Sequence, residues 1–232
     1  MNETIETILR HRSIRKFKNE KLTEEQIKYL VRSAQAASTS SYVQAYSIIG
    51  VTDQEKKNKI AEVARNQFNV VQNGHFFVFC ADFYRHEKVA EWKNKDVIES
   101  IESTEKFMVA VIDAALAAQN TAIAAESMGL GICYIGGIRN NLHVIQDILE
   151  TPYRVIPLFG LAVGVPDQAP EQKPRLPFEH IYHENRYEDD TTEIKKQLDE
   201  YDRITEKYYA ERSEENRRDR WTDQITQMLE GK

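Results

Sequence analysis

The chain has 232 residues, 41% of them hydrophobic and 29% charged, which is the composition of a globular protein with a substantial core. Its net charge of −6 disfavours bulk attraction to nucleic acid, so any basic patch must be local. No apolar run approaches the roughly 20 residues of a membrane span, and Met1-Asn2-Glu3-Thr4 opens without a basic region leading into an apolar one, so neither a membrane segment nor a secretory leader is expected. Cys80 and Cys133 both lie in apolar, strand-like runs, which suits buried reduced thiols and a cytoplasmic protein better than a disulfide.

In chain order, Asn2 can cap a first helix carrying Ile5, Ile8 and Leu9 at helical spacing. His11-Arg12-Ser13-Ile14-Arg15 follows on a connecting loop and gathers two guanidiniums, an imidazole and a hydroxyl around one apolar residue. Planar, permanently charged guanidiniums suit a phosphate or the polar edge of a heterocycle. Thr23 and Gln26 form a capping-box pattern for a second helix with Ile27, Leu30, Val31, Ala34 and Ala37 on one face. It runs into the hydroxyl cluster Ser38-Thr39-Ser40-Ser41, which reads equally as a polar turn or a ligand-binding loop. Ser47 to Val51 reads as a strand, and Asp53 can cap a short helix through Ala64.

Phe76 to Ala81 is a continuous apolar run, the pattern of a strand buried on both faces. The charged stretch from Tyr84 to Lys106 has weak periodicity and reads as mobile or surface helical. Phe107 to Met128 predicts the longest helix, so rich in alanine that it should be buried centrally or at a subunit interface, with Gly129 placed as a left-handed cap. Ile132 to Ile135 predicts a strand ending in Gly136-Gly137, and Asn140 or Asn141 caps a helix through Leu149. Val155 to Val163 predicts a last core strand, irregular near Pro157. After Pro166 the composition changes, so residues 1–166 read as the core of a single domain and 167–232 as an extended segment with a helical excursion.

Several chemistries lack their parts. Gly129-Leu130-Gly131 follows a helix, whereas the dinucleotide fingerprint runs strand, glycines, helix. No Walker loop, no Gly-x-Ser-x-Gly elbow and no histidine–cysteine metal spacing is present. The remaining cations, hydroxyls, amide and Gly-Gly backbone suit a bound cofactor that carries the chemistry itself.

His11-Arg12-Ser13-Ile14-Arg15, Ser38-Thr39-Ser40-Ser41-Tyr42-Val43-Gln44, Ala124-Ala125-Glu126-Ser127-Met128-Gly129-Leu130-Gly131, Tyr134-Ile135-Gly136-Gly137-Ile138-Arg139-Asn140 and Lys173-Pro174-Arg175-Leu176-Pro177 together resemble the nitroreductase family, in order along nearly the whole chain. The most similar group is the NADPH-dependent, oxygen-insensitive nitroreductases and FMN reductases. The resemblance implies an α+β fold, a mainly antiparallel sheet flanked by helices, with a C-terminal helical excursion onto the partner of a homodimer. It also implies FMN at the subunit interface and ping-pong hydride transfer from NADPH through flavin N5 to nitroaromatics, quinones or free flavin. A non-enzymatic FMN store is the alternative.

By the same resemblance His11, Arg12, Ser13 and Arg15 contact FMN, with Ser13, Lys173 and Arg175 at its phosphate and Arg15 at the pyrimidine edge. Thr39, Ser40 and Gln67 match further FMN contacts, and Tyr134, Ile135, Gly136 and Gly137 lie along the ring. Ser41 and Tyr42 fall on the acceptor side, Tyr42 in place of a phenylalanine. Arg212, Arg217 and Arg218 fall on the basic segment associated with the NADPH 2′-phosphate. No side chain is implied as acid or base, and no metal. The physics is consistent: charge-assisted bonds at roughly 1.5–3 kcal/mol each can retain a phosphate without a covalent link. A cation at the pyrimidine stabilises the reduced, anionic flavin. Enzymes of this group usually continue past the position of Lys232 with a further helical segment holding a basic pocket residue, which has no counterpart among these 232 residues.

Overall fold

The structure is a computed structural model in which residues 1–212 and 219–231 are described. In order the elements are α1 (Glu3–Leu9), α2 (Glu24–Gln35), β1 (Tyr46–Val51), α3 (Gln54–Val63), α4 (Phe68–Val71), β2 (His75–Asp82), α5 (Tyr84–Trp92) and α6 (Ile98–Ile101). They continue with α7 (Thr104–Ser127), β3 (Gly131–Ile135), α8 (Leu142–Leu149), β4 (Val155–Gly164), α9 (Thr191–Arg212) and α10 (Trp221–Glu230). Short 3₁₀ turns occupy Ser40–Tyr42, Gly136–Asn141 and Phe178–His180.

The helix starts follow from their caps. Asn2 accepts from the Ile5 amide, and Thr23 and Gln26 exchange both bonds of a capping box. Asp53 accepts from Lys56 and Asn141 from Val144. Ser103 accepts from the Lys106 amide, so α7 begins three residues before the expected Phe107. At its far end Gly129 has φ +74°, and the Leu130 amide reaches back to the Ala125 carbonyl at 3.0 Å, a turn that needs the left-handed region.

The sheet has the order β1-β2-β4-β3 and is antiparallel throughout. All eight residues of β2 are buried. Phe77, Phe79 and Ala81 pack on one face with α2 and α7, while Phe76, Val78 and Cys80 face Ile60, Val70 and Ile145 on the other. Burying a large apolar side chain is worth roughly 1.5–3 kcal/mol, so this strand anchors two helical layers. The irregularity expected near Pro157 is a register shift between Phe79 and Cys80, which leaves Leu158 without an opposite residue. Arg139 Nη1 takes the Leu158 carbonyl at 2.6 Å.

Of the two readings of Tyr84 to Lys106 the surface-helical one holds, and a short helix after Gln67 was not expected. Tyr84 to Lys106 contains α5, α6 and the start of α7; Arg154, its side chain 9% exposed, ties these helices together through Glu87 at 2.9 Å and Glu102 at 3.0 Å. The four-residue α4 is too short to leave a periodic signal. Among the described residues α7 is also long and apolar enough to cross a bilayer, contrary to the expectation of no such run, but 44% of its apolar window is buried in this core.

The chain divides into two compact units, Met1–Pro170 and Glu171–Lys232. The boundary falls beyond Pro166 because that residue bridges Phe17, the Asp167 amide reaches the Lys16 carbonyl at 2.9 Å, and Arg12 Nη1 reaches the Pro170 carbonyl at 3.1 Å. In the second unit α9 and α10 are joined at buried Asp202, which accepts from the Thr222 amide at 3.0 Å and its hydroxyl at 2.5 Å.

Candidate functional site

The N-terminal basic segment docks on the sheet rather than on solvent. Ser13 forms a parallel bridge with Ile132, and the Ile14 amide donates to the Ile132 carbonyl at 2.8 Å. Ile14 is buried against Gly131, where a Cβ would lie 2.6 Å from Ile14 Cγ1, so only glycine lets the segment sit this close. This docking fixes the residues on either side of Ser13. His11 Nδ1 lies 2.6 Å from Glu126 Oε1 near the end of α7. Arg15 is exposed and, among the described residues, has no hydrogen bond or ion pair; its positive field acts on Cys133 of β3, whose thiol is pushed up chiefly by burial and eased by that charge.

The end of β3 supplies the next pieces. Tyr134 is partly exposed, bonds Gln119 Oε1 through its hydroxyl at 3.4 Å, and is raised above the ordinary tyrosine range first by burial and then by Glu126. Ile135 is fully buried. A Cβ on Gly137 would lie 3.1 Å from both Ala64 Cα and Gln67 Nε2, so the turn after β3 packs directly on Gln67, which stands at the head of α4. Beside it Asn69 is buried, and its side chain acts on the Cys133 thiol. His11, Ser13 and Arg15, with Tyr134 to Gly137 and Gln67, are thus brought to the two ends of β3.

Thr39 to Tyr42 forms a separate loop, held from α7. Ser41, Tyr42 and Gln44 have φ of 49°, 59° and 54°, a left-handed run in side chains that disfavour it. What holds it is Asp113, fully buried in α7, which accepts from the Ser40 amide at 2.9 Å and the Ala45 amide at 3.0 Å. Left-handed residues cost on the order of 1–3 kcal/mol each, and two bonds to a carboxylate return roughly 1.5–3 kcal/mol each, so this side chain offsets most of the strain. The result presents Tyr42 82% exposed.

Asp113 and Glu126 were missing from the sequence assignment. Asp113 had a signal: it is the one charged residue between Lys106 and Glu126 in a helix expected to be buried, and a buried carboxylate requires partners. Glu126 had none, because its partner His11 lies 115 residues away.

Lys173 and Arg175 belong to the second unit. There Arg175 donates to the Lys173 carbonyl at 2.6 Å, and the Lys173 ammonium lies 5.6 Å from the Tyr209 ring centre. The Tyr201 hydroxyl donates to the Pro174 carbonyl at 3.1 Å, pinning the extended segment against α9. Arg212 is the last residue of α9, while Arg217 and Arg218 lie outside the described residues.

A four-stranded antiparallel sheet covered by helices on both faces, with a basic segment laid along β3 and a Gly-Gly turn at its end, is an α+β arrangement of a recognisable kind. Two family models match it in succession, Nitroreductase family over residues 8–165 and Nitroreductase family, C-terminal domain, over 173–232. The chain belongs to the nitroreductase family. It is 58% identical over 232 residues, 100% of this chain and 93% of the relative, to FMN reductase (NADPH) of Bacillus subtilis (strain 168). It is 44% identical over 235 residues, 100% of this chain and 93% of the relative, to NADPH-dependent oxidoreductase of Staphylococcus saprophyticus. The solved NfrA1 nitroreductase from B. subtilis superposes with a TM-score of 0.97 at 57% identity, covering 99% of this chain and 93% of that one.

The clamp gives a direct prediction. Asp113→Asn keeps the volume but turns an amide donor towards one of the two backbone N–H groups, and it should cost about 1–3 kcal/mol of stability. Hydrogen exchange at Ser40 and Ala45 should quicken together. Unchanged exchange at both would show that something other than Asp113 holds the loop.

Proposed function

We propose that this chain is an FMN-dependent NADPH oxidoreductase working by a ping-pong cycle, with nitroaromatics, quinones or free flavin as acceptors. The family assignment and the relatives named FMN reductase (NADPH) and NADPH-dependent oxidoreductase support it. Those names describe turnover, which favours the enzyme over an FMN store. The observation that carries the reading is Arg15, a permanently charged fork held beside β3 with no anion of its own among the described residues.

The donor set fits FMN. Guanidiniums and hydroxyls at Arg12, Ser13, Thr39 and Ser40 suit a phosphate and a polar ring edge, and so does the Gln67 amide. His11 would stand near the phosphate, fixed by Glu126. Lys173 and Arg175, in the second unit, carry the cations that the family resemblance assigns to the phosphate. The glycine turn at Gly136 and Gly137 leaves backbone open to a flat ring, with Tyr134 and Ile135 leading into it. FMN, when bound, would supply the two-electron redox chemistry. Arg15 would stabilise negative charge at the pyrimidine edge, and Ser41 with exposed Tyr42 would face the acceptor. Arg212, Arg217 and Arg218 would receive the 2′-phosphate. Protons come from solvent.

Met108, Ile112 and Leu116 form a stripe at four-residue spacing along α7, 52%, 50% and 44% exposed. A large apolar stripe on the helix that also carries the Asp113 clamp is suited to a second subunit. The assembly is therefore read as a homodimer. Cys80 and Cys133 are free and buried, with Cys80 pushed up to about 12 by burial and then by Asp82, consistent with a reducing cytoplasm.

Arg15→Ala should weaken FMN retention at least tenfold and lower the two-electron flavin potential by about 30–60 mV, the equivalent of one lost charge-assisted contact. An unchanged potential would place Arg15 away from the ring. Light scattering should give twice the 27.0 kDa chain mass, and Leu116→Glu should lower it. A wild-type monomer that retains FMN would refute the dimer.

A further inference from the structure

One cavity has in its lining none of the residues assigned above to FMN, acceptor or NADPH. It has a volume of about 440 Å³ and is lined by residues from the segment before α2, from α2, α3, α4 and the start of β2. That is within the roughly 300–1,000 Å³ of small-molecule pockets. Its cationic side is made of Lys21 and Lys57, with His75 beside them, and Leu22, Ile27 and Val71 make an apolar wall.

Lys57 is the unusual member. It is 6% exposed, yet its ammonium has a single hydrogen-bond partner among the described residues, Asn73 Oδ1 at 3.0 Å. That oxygen is held in place because Asn73 Nδ2 donates to the Asn69 carbonyl at 2.8 Å and the Val70 carbonyl at 2.9 Å. The partner is neutral, and among the described residues no side chain or carbonyl takes the other two ammonium donors. Among the described residues no carboxylate acts on the group: burial and then Lys21 both lower its affinity for a proton. His75 is 7% exposed, pushed down to about 4 by burial and then by Lys57, so it is neutral at pH 7 and adds no counter-charge. Lys56, the adjacent residue of the same helix, reaches Glu150 at 2.7 Å, and Lys59 reaches Glu55 at 2.9 Å. Buried charges are ordinarily paired, because removing an ammonium from water without a counter-ion is strongly unfavourable.

We propose that this cavity binds a small organic anion, with its carboxylate or phosphate head at Lys57 and its apolar body along Leu22, Ile27 and Val71. The head would take the other two ammonium donors, with Lys21 adding a second positive charge at the more exposed edge. The apolar wall selects against a bare inorganic ion.

The FMN-loaded protein would be titrated by calorimetry at pH 7 with benzoate, with the neutral analogue benzamide and with inorganic phosphate, while the visible flavin spectrum is followed in parallel. Benzoate should bind without perturbing the flavin, at least tenfold more tightly than benzamide or phosphate, and Lys57→Met should lose at least tenfold in benzoate affinity. Without ligand Lys57→Met should melt above the wild type, since it removes an uncompensated buried charge, and benzoate should raise the melting temperature of the wild type only. Absence of benzoate binding, binding unchanged in Lys57→Met, or binding seen only with a perturbed flavin spectrum would overturn the proposal. Phosphate binding as tight as benzoate would overturn the apolar body. A Lys57→Met chain that melts below the wild type or fails to fold would show the charge to be compensated within the protein, and would overturn the site.

Discussion

Strand β2 is buried over all eight residues, and a strand with no solvent face needs cover on both sides. One cover is α2 with α7; the other is built from α3, α4 and α8. The first places Asp113 under the Thr39–Tyr42 loop and Glu126 beside His11, and the second places Gln67 against the turn after β3. Removing either layer would expose three β2 side chains and dissolve one wall of the site. The position of the functional residues is therefore a consequence of how this strand is packed.

Buried polar groups divide into two kinds here. Asp113 sits at full burial with two backbone donors, and Asp82 accepts from Ser47 and Arg85. Hydrogen bonds to Ser47 and Arg85 outweigh the burial that would raise Asp82, and the carboxyl lies below its ordinary range. Lys57 has no such compensation. The contrast separates polar groups that hold the fold from one that awaits a ligand.

Much of the architecture was legible in the sequence because it rests on local rules. The Thr23–Gln26 box, Gly129 and the Phe76–Ala81 run each encode their structure within a few residues. The Pro157 irregularity was legible for the same reason, since proline cannot donate to the ladder. The content of the site was reached instead through a resemblance of motifs scattered over the chain. Composition could not place Arg15 next to β3, because that depends on the bridge from Ser13 to Ile132 across 119 residues of sequence, a contact with no local pattern. The left-handed run at Ser41, Tyr42 and Gln44 was illegible too, as none of the three is glycine and its cause is a carboxylate on another helix. Lys57 stands between Lys56 and Lys59 on one helix, and no local pattern marks it as the buried one.

The account stands on a flavin held by this chain and reduced by NADPH. Its most direct test is an anaerobic titration of the purified, FMN-saturated protein, following the yellow flavin band. Stoichiometric NADPH should bleach the band, NADH should do so far less efficiently, and a nitrofuran or quinone added afterwards should restore the colour. A protein that cannot be loaded with FMN, or whose bound flavin stays oxidised in excess NADPH, would contradict it.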